Sequence, residues 1–302
     1  MKRLLAFTVL LVLVLAAGAE SVRTVTAPAP VRALELDGPR IAYATGRSER
    51  DCNRVFVWNL ATRGVTRLGR RTNCEQTSTG NEIAAVSIAG TRVLWLHYAG
   101  GNIRDWSLWT ATTARPAPRR LRLVSRDVDA PAPLVIGQGD SSKLSDLLPY
   151  AVDRTVVALR ADGSRRFAWV APTRVIALSA RAGELAVASE GGVVTVLDAH
   201  GNVLRAESFG TEIDAVRFTG NALVVQRGRT LELRGGRTAI YSISAGVKLA
   251  DADGDRAVLV GGGKVRMIDL RDGRVQIVAS GSLARLEGAR LAVASGRTVS
   301  VR

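Results

Sequence analysis

Seven copies of one short apolar run constrain the fold of this chain more than any other feature. IAYA (41–44) follows Asp37-Gly38, VLWL (93–96) follows Ala89-Gly90, and LPYAV occupies 148–152. LAVAS (185–189) follows Ala182-Gly183, ALVVQ (222–226) follows Thr219-Gly220, AVLVG (257–261) follows Asp253-Gly254, and LAVAS recurs at 291–295 after Glu287-Gly288. The starts lie 52, 55, 37, 37, 35 and 34 residues apart. In most copies an alternating stretch precedes the run, as in residues 33–36, 85–88 and 283–286, and another follows, as in 55–58, 193–197 and 265–268. A polar glycine turn and usually a fourth stretch complete the unit, as in 269–273 before 275–278.

Period-two alternation bounded by glycine turns reads as short antiparallel strands. A single four-stranded sheet cannot bury both faces, whereas sheets packed around an axis share a continuous core and keep only short edges. The expected fold class is therefore all-β, a seven-bladed β-propeller of four-stranded antiparallel blades. One domain is expected over 20–302, with blades near 31–70, 82–125, 133–170, 173–208, 212–243, 246–279 and 282–302. The last blade lacks a fourth strand of its own. Residues 21–26 (SVRTVT), ahead of a Pro28-Ala29-Pro30 corner, are expected to pair with the strand ending at Val301 and close the ring. The third repeat is the least regular: QGDSSKLS (138–145) stands where a first-to-second strand turn belongs and reads as an insertion.

The units VRMIDLRDGRV (265–275), VFVWNLATRGV (55–65) and VTVLDAHGNV (194–203) resemble those of WD-repeat-like and quinoprotein-like propellers, and more loosely the Tol-type periplasmic propellers. The resemblance implies a blade, not an activity. Gly-His and Trp-Asp pairs at blade ends are missing, as is the regular tryptophan with which quinoprotein propellers lock neighbouring blades.

Lys2 and Arg3, an apolar run over 4–17 and Ala17-Gly18-Ala19 form a secretory signal pattern, so residues 1–19 are expected to be removed on export, with an uncleaved anchor as the alternative. No later segment has the length of a membrane span. The destination would be the periplasm, the cell envelope or the exterior, where a disulfide is permitted. Cys52 and Cys74 are the only cysteines. Strand counting places both in connections at the same end of the propeller, so they are expected to pair; the loop they close would contribute about 3 kcal/mol through chain entropy. The formal charge of +15 falls to +13 without Lys2 and Arg3. Outside the cytoplasm that favours anionic polymers or acidic partners over nucleic acid. The scattered arginines also fit a general solubility role.

Only two histidines, His97 and His200, are present. No transition-metal site, Cys–His nucleophile, nucleophile elbow or phosphate loop can be assembled from the motifs, so no catalytic residue, metal or cofactor is expected. Asp251-Ala252-Asp253-Gly254-Asp255 resembles a calcium loop but has Gly262 where the closing Glu belongs, and reads as a turn. Propeller loops carry function, and HYAGGNIRDW (97–106) is the richest polar loop. Tyr98, Arg104, Asp105 and Trp106 offer a stacking surface, a fork donor and an acceptor, with Arg50 and Arg71 making the rim basic. The alternative role of these four is structural, with Trp106 packed inward and Arg104 and Asp105 paired locally. The expectation is a monomeric, exported, non-enzymatic binding module that contacts a protein or an anionic envelope polymer through this face. The alternative is a propeller enzyme of quinoprotein, lyase or glycan-hydrolase type, with channel carboxylates drawn from Asp37, Glu82, Glu212 and Asp214.

Overall fold

The computed structural model describes residues 22–46, 54–69, 80–142, 146–210 and 212–302. β1 (Arg23–Thr26) comes first. Blade 1 holds β2 (Val31–Asp37), β3 (Arg40–Thr45), β4 (Val55–Asn59) and β5 (Val65–Leu68); blade 2 holds β6 (Asn81–Ala89), β7 (Arg92–Gly100), β8 (Ile103–Thr112) and β9 (Arg119–Asp127). Blade 3 holds β10 (Leu134–Ile136), β11 (Leu148–Val152), β12 (Thr155–Leu159) and β13 (Arg165–Val170); blade 4 holds β14 (Val175–Arg181), β15 (Glu184–Ser189), β16 (Val193–Leu197) and β17 (Val203–Ser208). Blade 5 holds β18 (Ala215–Thr219), β19 (Ala222–Arg227), β20 (Thr230–Arg234) and β21 (Ala239–Ser242); blade 6 holds β22 (Lys248–Asp253), β23 (Arg256–Gly261), β24 (Lys264–Asp269) and β25 (Val275–Ser280). Blade 7 holds β26 (Leu283–Glu287), β27 (Arg290–Ser295) and β28 (Thr298–Val301), and takes β1 as its outer strand.

These are seven antiparallel four-stranded sheets, as the repeats predict. The closure also holds: Arg23 stands opposite Val301 and Thr26 opposite Thr298. The inner strands touch in sequence from β2 through β26 and back to β2. The apolar core is divided accordingly into seven clusters, each shared by two adjacent blades. One joins Leu34, Ile41, Tyr43 and Trp58 of blade 1 to Ala292, Ala294 and Val299 of blade 7. Another joins Ala186 and Val194 of blade 4 to Val216 and Phe218 of blade 5. Burial between blades, not within one, is what makes the ring a single cooperative object.

The propeller has two ends. Second-to-third and fourth-to-first connections form the loop end; first-to-second and third-to-fourth connections form the turn end. Three expectations need correction. Residues 97–106 are not a loop but the body of a hairpin, because β7 runs to Gly100 and β8 begins at Ile103. Asp251 and Asp253 belong to β22 rather than to a turn, displaced by a bulge between Leu249 and Asp251. In blade 3 the segment after β10 is not simply inserted: Gln138 bridges Ser179 and Asp140 bridges Leu147, so the inner strand continues in irregular form. The flanking glycines explain the irregularity. A Cβ on Gly137 would collide with Leu178 of blade 4, and one on Gly139 with the Ile88 carbonyl of blade 2. Blades 2 and 4 approach this segment too closely for a side chain at either position.

Candidate functional site

Blade 2 is built differently from its neighbours at the loop end. Its strands span 9, 9, 10 and 9 residues, and the longest strand elsewhere has 7. The extra pairs, from Asn81 opposite Ala99 to Tyr98 opposite Trp106 and Gly100 opposite Arg104, extend the sheet outward. At about 3.4 Å per residue, two further residues lift the rim by roughly 7 Å. Because Tyr98 and Trp106 are cross-strand partners, their rings meet at 5.1 Å with a 45° tilt. The Arg104 guanidinium lies 4.9 Å from the Tyr98 ring centre. Tyr98 donates its hydroxyl to Glu82 at 3.0 Å, and Glu82 lies 3.8 Å from Arg32 of blade 1. Asp105 accepts from Ser125 on β9 at 2.5 Å.

The structure therefore brings Tyr98, Arg104 and Trp106 into one half-buried stack, with Asp105 turned to the neighbouring strand. His97 is buried below it against Asn81. Beyond the stack, Ile103 at the hairpin tip is 63% exposed. Arg50, Arg71, Cys52 and Cys74 lie outside the described residues, as does the 1–19 segment.

Two residue rings that sequence reasoning passed over organise the channel. In five blades the residue that ends the inner strand serves the next blade's turn, not its own. Asp37 accepts from the Gly90 N–H at 2.6 Å, Asp140 from Ala182 at 2.5 Å, Asp253 from Gly288 at 2.5 Å and Glu287 from Gly38 at 2.8 Å. In blade 5 the Thr219 hydroxyl donates to the Gly254 carbonyl instead. The receiving glycines sit at positive φ, +55° at Gly38 and +58° at Gly90, where other residues are strained. Asp37 also accepts from the backbone and hydroxyl of Ser141, across blade 2. Burial pushes the Asp37 and Glu287 carboxyls above the usual range, while their N–H donors pull the other way.

Two residues earlier on every inner strand stands a polar side chain: Glu35, Ser87, Gln138, Ser179, Arg217, Asp251 and Arg285, one per blade. Glu35, Ser87, Ser179 and Asp251 are buried. Arg285 Nε meets Glu35 Oε2 at 3.0 Å. Asp251 accepts from the N–H groups of Ala252 and Leu286, each at 2.9 Å, and from Gln138 across the channel at 3.4 Å. Ser179 donates to Gln138 at 3.4 Å. Burial pushes the Glu35 carboxyl up and Arg285 opposes it; burial also works against the charge of Arg285, but Glu35 and Asp251 outweigh it and hold that guanidinium more firmly protonated.

The ring divides the channel. Gln138 lines both the cavity at the turn end and the one at the loop end. Of the carboxylates expected in the channel, Asp37 is part of the turn ring, Glu82 belongs to blade 2's rim, Glu212 is exposed, and Asp214 borders the loop-end cavity while accepting from Gly228 at 2.5 Å. The carboxylates at the heart of the channel are Glu35 and Asp251. A signal for them exists in the sequence, since a polar residue stands three positions ahead of six of the turn residues Gly38, Gly90, Ala182, Gly220, Gly254 and Gly288. Strand alternation treats those positions as ordinary.

Among the described residues, no group of three or more His, Cys, Asp or Glu is placed to hold a metal ion. Among them, no helix is long and apolar enough to cross a membrane.

No family model matches this sequence, and no curated protein matches it. Solved structures match in fold. A computationally designed protein, Ika8, superposes with a TM-score of 0.53 at 13% identity, covering 91% of this chain and 96% of its own. A chain of the mitotic checkpoint complex reaches 0.58 at 14% identity, over 92% of this chain and 93% of its own. Sqt1 of Saccharomyces cerevisiae reaches 0.53 at 12% identity, over 92% and 97%. These likenesses establish a WD40-like propeller fold and extend no further than the fold.

Proposed function

We propose that this protein is an exported, non-enzymatic binding propeller that contacts a protein or an anionic envelope polymer through its loop end, with blade 2 as the principal contact. The observation that carries the reading is the Tyr98–Trp106–Arg104 stack on the one blade whose strands outgrow the rest. Aromatic rings and a guanidinium that are pre-stacked lose little freedom on binding, which is what interface anchors require. The basic balance of the chain supports an acidic partner. The channel carboxylates support the same reading. Glu35 is held by Arg285 and Asp251 by two backbone N–H groups, so both serve the polar ring.

The test is retention of envelope components by the immobilised mature protein. Wild type should retain a defined set that Tyr98→Ala and Trp106→Ala both lose, and retention should fall steeply between low and physiological salt. An identical set bound by all three proteins would overturn the assignment of the site. Retention insensitive to salt would overturn the role of charge.

A further inference from the structure

On the loop side of the polar ring the channel opens into a cavity of about 250 Å³. Arg32, Arg217 and Arg285 line it together with Glu35 and Asp214, while Glu82 stands 3.8 Å from Arg32. Both lining carboxylates are committed, Glu35 to Arg285 and Asp214 to the Gly228 N–H. Arg217 and Arg285 converge on one acceptor: Arg217 Nε and Arg285 Nη1 both donate to the Ala250 carbonyl, at 3.0 and 3.3 Å. Each also donates to a carbonyl of its own strand, Val216 and Ala284. The two differ in their counter-ions. Arg285 has Glu35 at 3.0 Å, whereas the closest carboxylate contact of Arg217 is Asp251 at 4.0 Å, already bonded to Ala252 and Leu286. Two guanidinium groups thus stand side by side at the edge of a small cavity, one with a carboxylate in direct hydrogen-bond contact and the other with its carboxylate at the limit of an ion pair. Burial, first, and the neighbouring Arg285 push the pKa of Arg217 down, while Asp251 and Glu35 act against them.

We propose that the loop-end half of the channel binds a carboxylate, seated against the Arg217 and Arg285 guanidinium groups. Paired guanidinium forks favour a planar carboxylate through charge-assisted hydrogen bonds, and the cavity's size admits a small acid or a single acidic side chain. The carboxylate comes either from a free small acid or from an acidic chain docked across the loop end. This site stands independently of the blade 2 hairpin, whose assignment rests on retention of envelope components.

Calorimetric titration of the mature protein with succinate tests the first source and titration with hexaglutamate the second, with neutral succinamide as control. The expected result is saturable binding of at least one acid, no binding of succinamide, and affinity weakened about tenfold or more in Arg217→Gln, equivalent to about 1.4 kcal/mol. Succinate binding alone assigns a free acid, and hexaglutamate binding alone assigns a docked chain. If Arg217→Gln does not fold, the wild type still decides through its melting temperature, which an acid that binds should raise and succinamide should not. Absence of binding by both acids, equal binding of succinamide, or undiminished affinity in folded Arg217→Gln would each overturn the proposal.

Discussion

The polar ring of the channel and the extended rim of blade 2 are opposite solutions to placing polar groups on a sheet. In the ring, every blade contributes one side chain at the same level, and buried Glu35 and Asp251 are matched by Arg285, Arg217, Gln138 and backbone N–H groups. On the rim, one blade alone adds residues, and Tyr98, Arg104 and Trp106 stay half-exposed, stacked on one another, with Trp106 also resting on the apolar cluster between blades 2 and 3. The ring draws one side chain from each blade and bonds several of them across blade boundaries, so its loss should be a loss of stability. The rim belongs to one blade and meets its neighbours through the exposed Glu82–Arg32 pair and the inner side of Trp106, so its loss should be mainly a loss of binding.

Five measurements can break or sharpen that division. Arg285→Ala leaves Glu35 as a buried, unpaired carboxylate and should cost about 3–5 kcal/mol in denaturant unfolding; a cost below about 1 kcal/mol would remove the ring from the stability argument. Gly137→Ala forces a methyl group onto Leu178 and should cost about 2–3 kcal/mol. Asp37→Ala strands the N–H groups of Gly90 and Ser141 and should cost about 1–2 kcal/mol. Tyr98→Ala removes a half-buried ring at the rim and should cost about 1 kcal/mol or less while abolishing envelope retention. A large stability loss there would make the rim structural and dissolve the contrast.

The smallest effect concerns pH. Asp269, the last residue of β24, is bonded by the Arg271 side chain and backbone N–H, which pull its pKa down to about 2. A folded-state pKa below the unfolded value means the stabilisation is fully present above about pH 4 and is lost as pH falls through 2. Carboxyl NMR should show that midpoint, and a midpoint near 4 would refute it. Asp37 has the opposite sign. Its raised pKa means the folded state binds the proton more tightly, so its term weakens as pH rises through the folded value.

Much of the architecture was legible because alternation and glycine turns are local. LAVAS after Ala182-Gly183 and IAYA after Asp37-Gly38 announce second strands without reference to any other blade. Even the closing strand was readable, since a β-patterned segment at one terminus matched a missing strand at the other. The hairpin was harder. Ala99-Gly100-Gly101-Asn102 looks like the middle of a long loop, and only the pairing of Tyr98 with Trp106 shows that both flanks are strand. Asp251 was read as part of a turn because Asp-x-Asp-Gly is a turn signal, whereas a bulge pulls it into the inner strand.

The sequence by itself determined the number of blades, the order of strands and the residues that would share a small hairpin, because each depends on contacts a few residues apart. Only the tertiary structure decided that Asp37 serves the turn of blade 2, that Gln138 reaches Asp251 across the channel, and that Arg217 and Arg285 share one carbonyl. Those contacts join residues from 33 to 113 positions apart. They arise when seven sheets close on one axis, and a buried charge or N–H group takes whichever partner that closure brings within hydrogen-bond reach.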